Sequence, residues 1–206
     1  MEFIEENSPV GDPAQKLYRL VLKGETAVTA RPGQFIHIRV THAPAPLLRR
    51  PLSLARIDAE GGRVTVYYRL KGQGTELLAQ KRPGEELDIL GPLGRGFTIP
   101  AAGSLLLVAG GIGVFPLLAL GEEAARRGVS CVLLWGAENS AFFAAAAEIA
   151  APIPARRYAT LDGSLGHKGL VTDLLNIYPA QPRGGPAQIG GGALPFIPAA
   201  PACRAA

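Results

Sequence analysis

The sequence predicts two domains, an antiparallel β-barrel followed by a parallel α/β sheet that is incomplete at its C-terminal end. Over residues 17–90, short alternating runs of apolar and polar residues are separated by turn residues, as in antiparallel strands. After Pro100, continuous apolar runs alternate with helical segments, which is typical of parallel strands covered on both faces. The predicted divisions are residues 1–99, 100–180 and an irregular tail at 181–206 that is rich in Gly, Pro and Ala.

The first domain is expected to hold six or so short strands and one short helix, as a small barrel or sandwich does. Matching Pro-Gly turns at residues 31–34 and 82–85 each lead into a strand, and residues 60–63 have the composition of a hairpin turn. The predicted strands are 18–22, 34–40, 52–55, 63–68 and 86–90, and the predicted helix is 75–80.

The second domain is expected to repeat a strand and a helix three times, which indicates a parallel α/β domain. A proline near the start of its first helix and Gly128 after it match the usual helix boundaries. The predicted strands are 104–109, 129–135 and 156–160, and the predicted helices are 116–127, 140–149 and 169–177.

The composition narrows the possible functions. A hydrophobic fraction of 48% with 18% charged residues fits a folded globular chain. Aromatic residues make up only 6%, so a nucleic-acid surface built on base stacking is not expected. No apolar run is long enough for a membrane helix, and the acidic residues 1–6 do not form a signal peptide. A cytoplasmic location is therefore expected.

The sequence predicts no metal site. Cys131 and Cys203 are far apart, and His37, His42 and His167 are separated from them and from one another. Cys131 lies in an apolar run and is expected to be a buried thiol.

A glycine-rich turn follows the first predicted strand of the second domain. Gly110, Gly111 and Gly113 would let the backbone approach a pyrophosphate, which the start of the next helix would attract. The ordinary dinucleotide fingerprint requires a glycine where this chain has Pro116, so that match fails. A plain strand-to-helix turn explains the glycines equally well.

A second cue follows the second strand of this domain, where the adenosine ribose of a dinucleotide usually lies. Glu138 stands there, with no Arg or Lys between residues 135 and 140, which favours NADH over NADPH. Asn139 or Ser140 acting as an ordinary helix cap explains the segment as well.

Two shorter segments in the first domain also offer groups that bind anions. In the run Arg50-Pro51-Leu52-Ser53, the arginine can pair with a phosphate and the serine can donate a hydrogen bond. Gly72 and Gly74 allow close backbone approach before Thr75 begins a helix. Each segment alone is an ordinary turn or cap. Together with the glycine turn, they suggest two nucleotides side by side and electron or hydride transfer between them.

The order of these motifs resembles that of the ferredoxin–NADP reductase superfamily. The matching runs are Arg-Pro-x-Ser at 50–53, an aromatic-Arg strand at 67–69, Gly-x-Gly-Thr at 72–75 and Gly-Gly-x-Gly-x-x-Pro at 110–116. Within that superfamily, residues 160–173 resemble the Thr-x-Asp-Gly-Ser-x-Gly-x-Lys-Gly-x-Val-Thr-Asp signature of the electron-transfer subunit of class 1B dihydroorotate dehydrogenase. The resemblance extends over roughly residues 5–180.

The resemblance implies a FAD-binding barrel and an NAD-binding α/β domain. The implied FAD contacts are Arg50, Pro51, Leu52, Ser53, Tyr67, Tyr68, Arg69, Gly74 and Thr75, and the implied NAD contacts are Gly110, Gly111, Gly113 and Pro116. In the family the arginine neutralises a FAD phosphate and the serine lies near the flavin N5. No residue is expected to act as a general acid or base, because the redox chemistry belongs to the cofactors. The resemblance assigns no role to Asp162, Gly163 or Ser164.

The implied function is that of an electron-transfer flavoprotein subunit in pyrimidine biosynthesis. Electrons would pass from an FMN-containing, dihydroorotate-oxidising partner subunit through FAD to NAD⁺. Two alternatives remain open: a self-standing NAD(P)H-dependent flavin reductase, and a non-catalytic remnant of the family.

The chain departs from the family pattern near its end. Family members have a further strand ending in Cys-Gly-Pro and a cysteine-rich segment that holds a [2Fe–2S] cluster, for which four thiolates are required. This chain has no Cys-Gly-Pro and only Cys203 in that region. We therefore expect that the cluster is absent and that activity is impaired. We also expect that the reading frame is lost near residues 180–188, either through a sequence error or in a genuine pseudogene. Translating the coding DNA in its other two frames tests the last expectation.

Overall fold

The computed structural model describes residues 2–42, 46–146, 149 and 153–177. These residues form the two predicted units, a closed antiparallel β-barrel of six strands and a parallel sheet of four strands. The barrel strands are β1 (Glu2–Pro9), β2 (Leu17–Lys23), β3 (Phe35–Arg39), β4 (Arg50–Asp58), β5 (Arg63–Arg69) and β6 (Glu86–Leu93). The sheet strands are β7 (Ser104–Gly110), β8 (Ser130–Ala137), β9 (Ala155–Thr160) and β10 (His167–Lys168). The helices are α1 (Thr26–Thr29), α2 (Gln73–Ala79), α3 (Phe115–Arg126), α4 (Ser140–Ala146) and α5 (Asp173–Ile177).

The barrel closes in the order β1-β2-β5-β4-β3-β6, with β6 pairing back to β1. Closure leaves every strand with two neighbours, so the barrel has no free edge. Alternate residues of each strand face inward, and Leu20, Ile36, Leu54 and Val66 are fully buried there. The antiparallel barrel predicted from the alternating pattern is therefore confirmed.

The parallel sheet has the order β10-β9-β8-β7. On one face, Leu107 and Leu133 pack in the same core as Leu118 of α3, and on the other, Leu134 packs with Leu174 of α5. The prediction of three strands was wrong by one, because His167 and Lys168 pair in parallel with β9.

The last described helix is shorter than the predicted span of 169–177. It begins at Asp173, because Gly169 has a φ of 142° and its neighbours form a turn instead. Residues 94–103, between β6 and β7, contain no helix or strand. The predicted tail at 181–206 lies outside the described residues.

The two units share one hydrophobic core. Leu17, Ala55 and Tyr67 of the barrel pack in the same cluster as Phe115 and Leu118 of α3. The ring centroids of Tyr67 and Phe115 are 4.9 Å apart. Within the described ranges, no helix is long and apolar enough to cross a bilayer.

Candidate functional site

An open cleft lies on the barrel where β4 begins and α2 begins. Its volume is about 280 Å³. It is lined by Arg50, Lys71, Gly72, Gln73, Gly74 and Thr75. Two predicted motifs, separated by about 20 residues of sequence, therefore meet in one place. The cleft combines two basic side chains with the backbone N–H groups at a helix start, which is a chemistry suited to an anion.

Thr75 fixes the loop at the start of α2. Its hydroxyl accepts hydrogen bonds from the backbone N–H groups of Lys71 (3.0 Å) and Gly72 (3.2 Å) and donates one to the Gly72 carbonyl oxygen (2.8 Å). The predicted helix start at Thr75 is thus a closed capping turn, although α2 itself begins two residues earlier at Gln73.

Gly74 makes room for Arg50. The glycine is buried, and a Cβ placed on it would lie 2.0 Å from the Arg50 Nε. Any larger residue would therefore displace the guanidinium from its present position. Glycine is therefore required at position 74 by the Arg50 side chain, whether or not a ligand is bound.

The charge of Arg50 is not neutralised by an ion pair within the described part of the chain. Its Nη1 donates to the Leu48 carbonyl oxygen at 3.0 Å. The neighbouring Arg49 behaves differently, since its Nη2 lies 2.8 and 2.7 Å from the two carboxylate oxygens of Asp88. Of two adjacent arginines, one is held by a carboxylate and the other remains able to pair with a ligand.

The rest of the Arg50–Ser53 motif alternates across β4. Leu52 lies opposite Ile36 and packs toward the barrel core, whereas Ser53 lies opposite Phe35 on the other face of the strand. Pro51 is exposed. The motif therefore brings Arg50 to the cleft, whereas the Ser53 side chain lies on the opposite face of β4 and does not line the cleft.

The side chains at 67–69 do not line this cleft. Tyr68 points into the barrel, where its hydroxyl donates to the Asn7 Oδ1 at 2.8 Å, and Tyr67 packs on Phe115. Burial raises the pKa of both phenols, so they stay protonated. Arg69 is exposed, with its Cζ 5.3 Å from the centre of the Phe142 ring. Contacts from residues 67 and 68 to a ligand would have to come from the backbone.

Sequence reasoning missed Lys71 and Gln73, which line the cleft. Lys71 immediately precedes the Gly-x-Gly-Thr run, and a basic residue in that position was the available signal. Lys71 lines the cleft together with Arg50, so it adds a second positive charge there.

The glycine loop connects β7 to α3. Gly110 ends the strand, residues Gly111–Val114 form a 3₁₀ turn, and Pro116 lies in the first turn of α3. Gly111 has a φ of 51°, which favours glycine, and its carbonyl oxygen accepts a hydrogen bond from the Trp135 Nε1 at 3.0 Å. The turn is thus tied to the adjacent strand β8.

The surface of this loop is open. A Cβ placed on Gly110, Gly111 or Gly113 would meet no atom within 4 Å, whereas Val114 and Phe115 are buried beneath the loop. A ligand could approach the backbone closely at these three positions. This geometry suits a pyrophosphate at the start of a helix, although Pro116 supplies no N–H.

Residues 135–140 have two interpretations, as a helix cap and as a ribose site. The Asn139 Oδ1 accepts from the Ala141 N–H at 3.2 Å, as a helix cap does. Glu138 is nevertheless exposed at the carboxyl end of β8, where a ribose diol could reach it.

The signature segment 160–173 forms a loop closed by its own hydrogen bonds. The buried Thr160 hydroxyl donates to the Leu165 carbonyl oxygen (2.9 Å) and accepts from the Leu165 N–H (3.1 Å). The Ser164 hydroxyl donates to the Asp162 Oδ1 (2.6 Å), which lowers the pKa of that carboxyl, and accepts from the Ser140 N–H (2.8 Å). These residues therefore attach the loop after β9 to the start of α4.

The described residues contain no group of three or more His, Cys, Asp or Glu side chains that could hold a metal ion. The thiol of Cys131 is partly buried, and burial raises its pKa, which disfavours the thiolate that binds metals. With only two cysteines in the whole chain, the residues present do not fit a [2Fe–2S] cluster, which needs four thiolates.

Several known proteins are similar to this chain, although no protein-family model matches it. The dihydroorotate dehydrogenase B (NAD(+)) electron transfer subunit of Geobacillus thermodenitrificans is 48% identical over 166 residues, covering 79% of this chain and 64% of that protein. The subunit of the same name from Bacillus velezensis is 40% identical over 181 residues, covering 84% of this chain and 67% of that protein. The chain thus spans just under two thirds of the length of the first of these relatives.

Solved structures agree on the architecture. An NADH-dependent reduced ferredoxin-NADP oxidoreductase is 26% identical with a TM-score of 0.72, covering 86% of this chain and 62% of that one. A ferredoxin reductase of carbazole 1,9a-dioxygenase has a TM-score of 0.70 at 19% identity, covering 87% of this chain and 56% of that one, which supports the fold alone. The predicted family is confirmed. Its barrel, its α/β sheet and its similarity to the curated relatives show that the chain belongs to the family of dihydroorotate dehydrogenase B (NAD(+)) electron transfer subunits.

Proposed function

We propose that this protein is an electron-transfer flavoprotein subunit that passes electrons from a dihydroorotate-oxidising partner to NAD⁺, with FAD as its bound redox group. The observation that carries this proposal is the cleft in which Arg50, free of any described ion pair, packs against Gly74 beside the capped start of α2. A cytoplasmic location and a role in pyrimidine biosynthesis are part of this proposal.

The barrel cleft is the proposed FAD site. Arg50 and Lys71 would neutralise phosphate charge, and the N–H groups at the start of α2 would donate to phosphate oxygens. Pro51, Leu52 and Ser53 continue along β4 from that point, so that an extended ligand could follow the strand. FAD, when bound, supplies the ability to accept and pass on two electrons. In the proposed site, Tyr67 and Tyr68 would contact FAD through their backbone atoms. Arg69 would contact it after its side chain moves.

The glycine loop is the proposed NAD site. The backbone is open to a ligand at Gly110, Gly111 and Gly113. Pro116 lies in the first turn of α3, directly after the loop. Glu138 would accept hydrogen bonds from the ribose diol, and the absence of a basic residue between positions 135 and 140 disfavours a 2′-phosphate.

The proposed partner is an FMN-containing dihydroorotate dehydrogenase catalytic subunit, with which this chain would form a hetero-oligomer. Because this chain has two cysteines, it does not by itself hold the [2Fe–2S] cluster of the family. We therefore propose that electron input from the partner is impaired in this chain, while exchange between FAD and NAD remains possible.

The test is FAD retention by purified protein and by one charge-removing variant. Arg50→Gln should reduce FAD affinity by at least about tenfold, because a charge-assisted hydrogen bond to phosphate is lost. Arg82→Gln, which removes one positive charge from an exposed turn, is the matched control and should bind FAD like the wild type. Equal FAD binding by all three proteins would reject the proposed site.

A self-standing NAD(P)H-dependent flavin reductase is the second candidate function, and the cysteine count favours it. The two functions differ in what happens with the partner. Co-purification with a dihydroorotate-oxidising subunit, followed by dihydroorotate-dependent reduction of NAD⁺, would support the first. Bleaching of the bound flavin by NADH without any such partner complex would support the second. A colourless protein that binds neither nucleotide would indicate a non-catalytic remnant.

A further inference from the structure

The two elements that carry the nucleotide motifs also contact each other. β4 begins with Arg50–Ser53, and α3 begins immediately after the glycine loop. Farther along these elements, the Arg56 Nε on β4 lies 3.5 Å from the Glu122 Oε1 on α3. One ion pair therefore connects the strand of one proposed nucleotide site to the helix of the other.

A β-bulge turns Arg56 toward the second domain. The register of β4 against β5 shifts between Leu54 and Arg56, so that Ala55 is an extra residue in the strand. Ala55 is fully buried in the core shared by the two units, and Arg56 follows it along the same interface. Bulges of this kind commonly redirect a side chain near a functional site.

Arg56 also contacts a second segment of the α/β unit. Its Nη2 donates to the carbonyl oxygen of Ile149, on the segment after α4, at 3.4 Å. The Arg56 Nε is buried and makes no hydrogen bond. The Glu122 Oε1, at 3.5 Å, is close enough for an ion pair but too far for a good hydrogen bond. The guanidinium is thus spread across the interface, where it contacts two separate segments of the α/β unit.

This pair is poorly suited to stabilise the fold. The side chains of Arg56 and Glu122 are 40% and 33% exposed, and ion pairs at such positions contribute only about 0–1 kcal/mol. Burial also raises the pKa of Glu122, although Arg56 and Arg126 oppose that effect. The stability of the interface therefore comes from the shared hydrophobic core, and the ion pair can contribute direction to it.

We propose that Arg56 and Glu122 are positioning residues, whose ion pair sets the orientation of α3 and its glycine loop relative to β4 and its cleft. The consequence for electron transfer rests on the proposed function, because it requires the two nucleotides at these sites. The orientation itself does not depend on any ligand.

The first test therefore measures geometry without ligands. Nitroxide labels are attached at Glu60→Cys on the barrel and Ala125→Cys on α3, in full-length protein that carries Cys131→Ser and Cys203→Ser. Both label positions are exposed. We expect one narrow distance distribution for this parent protein and at least a twofold broader one after Glu122→Gln. Glu123→Gln changes the next residue of the same helix and should leave the distribution narrow.

A charge exchange makes the test specific to the ion pair. Arg56→Glu combined with Glu122→Arg should restore most of the narrow distribution, because the attraction is kept with its signs reversed. An unchanged distribution in Glu122→Gln would overturn the proposal. A broad distribution in the exchanged protein, together with a broad one in Glu122→Gln, would overturn the role of the ion pair.

The second test uses protein loaded with FAD. Misplacement of reacting groups by about 1 Å can slow a reaction by up to about a hundredfold. Glu122→Gln should therefore slow reduction of the flavin by NADH at least about tenfold, with little change in the NADH concentration for half-maximal rate. Failure of the unmodified protein to bind FAD or NADH would reject the proposed function and leave the distance measurement as the test of the pair. An unchanged rate in Glu122→Gln would overturn the positioning role.

Discussion

The barrel cleft and the glycine loop use glycine for opposite reasons. At Gly74 the space of the missing side chain is filled by the Arg50 guanidinium of the same chain. At Gly110, Gly111 and Gly113 that space is empty to a distance of 4 Å. The first site is thus assembled from side chains before any ligand arrives, whereas the second exposes bare backbone.

A glycine in a sequence motif can therefore serve either packing within the protein or access for a ligand. Replacing a glycine that packs against a side chain of the same protein displaces that side chain. Replacing a glycine beside open space changes only the approach of a ligand. The following predictions test that distinction and the connection between the two sites, from the largest expected effect to the smallest.

Replacing Phe115 should have the largest effect, because its ring packs between the barrel and the α/β unit. Its ring is 3% exposed and packs on Tyr67. Phe115→Ala should lower the free energy of unfolding by about 3–5 kcal/mol, as expected for a buried aromatic side chain. Urea denaturation followed by circular dichroism measures this. Phe3→Ala, at a phenylalanine that is 53% exposed, is the control and should cost far less. Equal losses would show that the interface contributes little.

A matched pair of glycine substitutions tests the comparison directly. Gly74→Ala should displace the Arg50 guanidinium, because the new Cβ would lie 2.0 Å from its Nε. The affinity for FAD should then fall about tenfold, which is about 1.4 kcal/mol. Gly113→Ala should leave the free energy of unfolding within about 0.5 kcal/mol of the wild type, because its Cβ meets nothing.

The ligand measurements complete that pair. Titration calorimetry should show that Gly113→Ala weakens NADH binding about tenfold without affecting FAD, and that Gly74→Ala does the reverse. Loss of both affinities in both variants would mean that the two sites are not independent.

Thr75 should have a smaller effect on stability. Thr75→Val removes the hydroxyl that accepts from the Lys71 and Gly72 N–H groups, which should cost about 1 kcal/mol. Thr29→Val, at an exposed threonine on α1, is the control and should change stability by less than about 0.5 kcal/mol. Thermal unfolding of both variants measures the difference, and equal midpoints would contradict the capping role.

The smallest expected effect is a pH dependence at Glu122. Burial raises its pKa in the folded protein above the ordinary value of 4.5, so its contribution to stability is present below pH 4.5 and is lost as pH rises through the raised pKa. Glu122→Gln lacks this loss. The stability of the variant relative to the wild type should therefore rise with pH from 4.5 upward.

Urea denaturation at several pH values measures that relative stability. The carboxyls with lowered pKa values, such as Glu85 and Asp162, are present in both proteins and cancel in the comparison. A constant difference across this pH range would show that Glu122 does not titrate differently in the folded protein.

The fold was largely predictable where the sequence period matches the structure. Five barrel strands and the three long strands of the sheet follow from alternating or continuous apolar runs. β1 was missed, because a bulge between Ile4 and Glu6 interrupts its alternation. β10 was missed because two residues carry no periodic signal.

The candidate site was predictable as a set of motifs but not as an arrangement. Nothing local in the sequence shows that Arg50 packs on Gly74, or that Tyr67 and Tyr68 face two different cores. β5 is buried on both sides because the α/β unit covers the outside of the barrel there. Such placement depends on contacts between distant segments, which propensity and spacing do not encode.

The hydrogen bond from Trp135 to the carbonyl oxygen of Gly111 has a practical consequence. Trp135 is the single tryptophan of the chain, it is fully buried, and its indole N–H contacts the glycine loop itself. Intrinsic fluorescence from this protein therefore reports one location. Any nucleotide that shifts the loop should change the emission of that indole, so occupancy of the loop can be followed without labels.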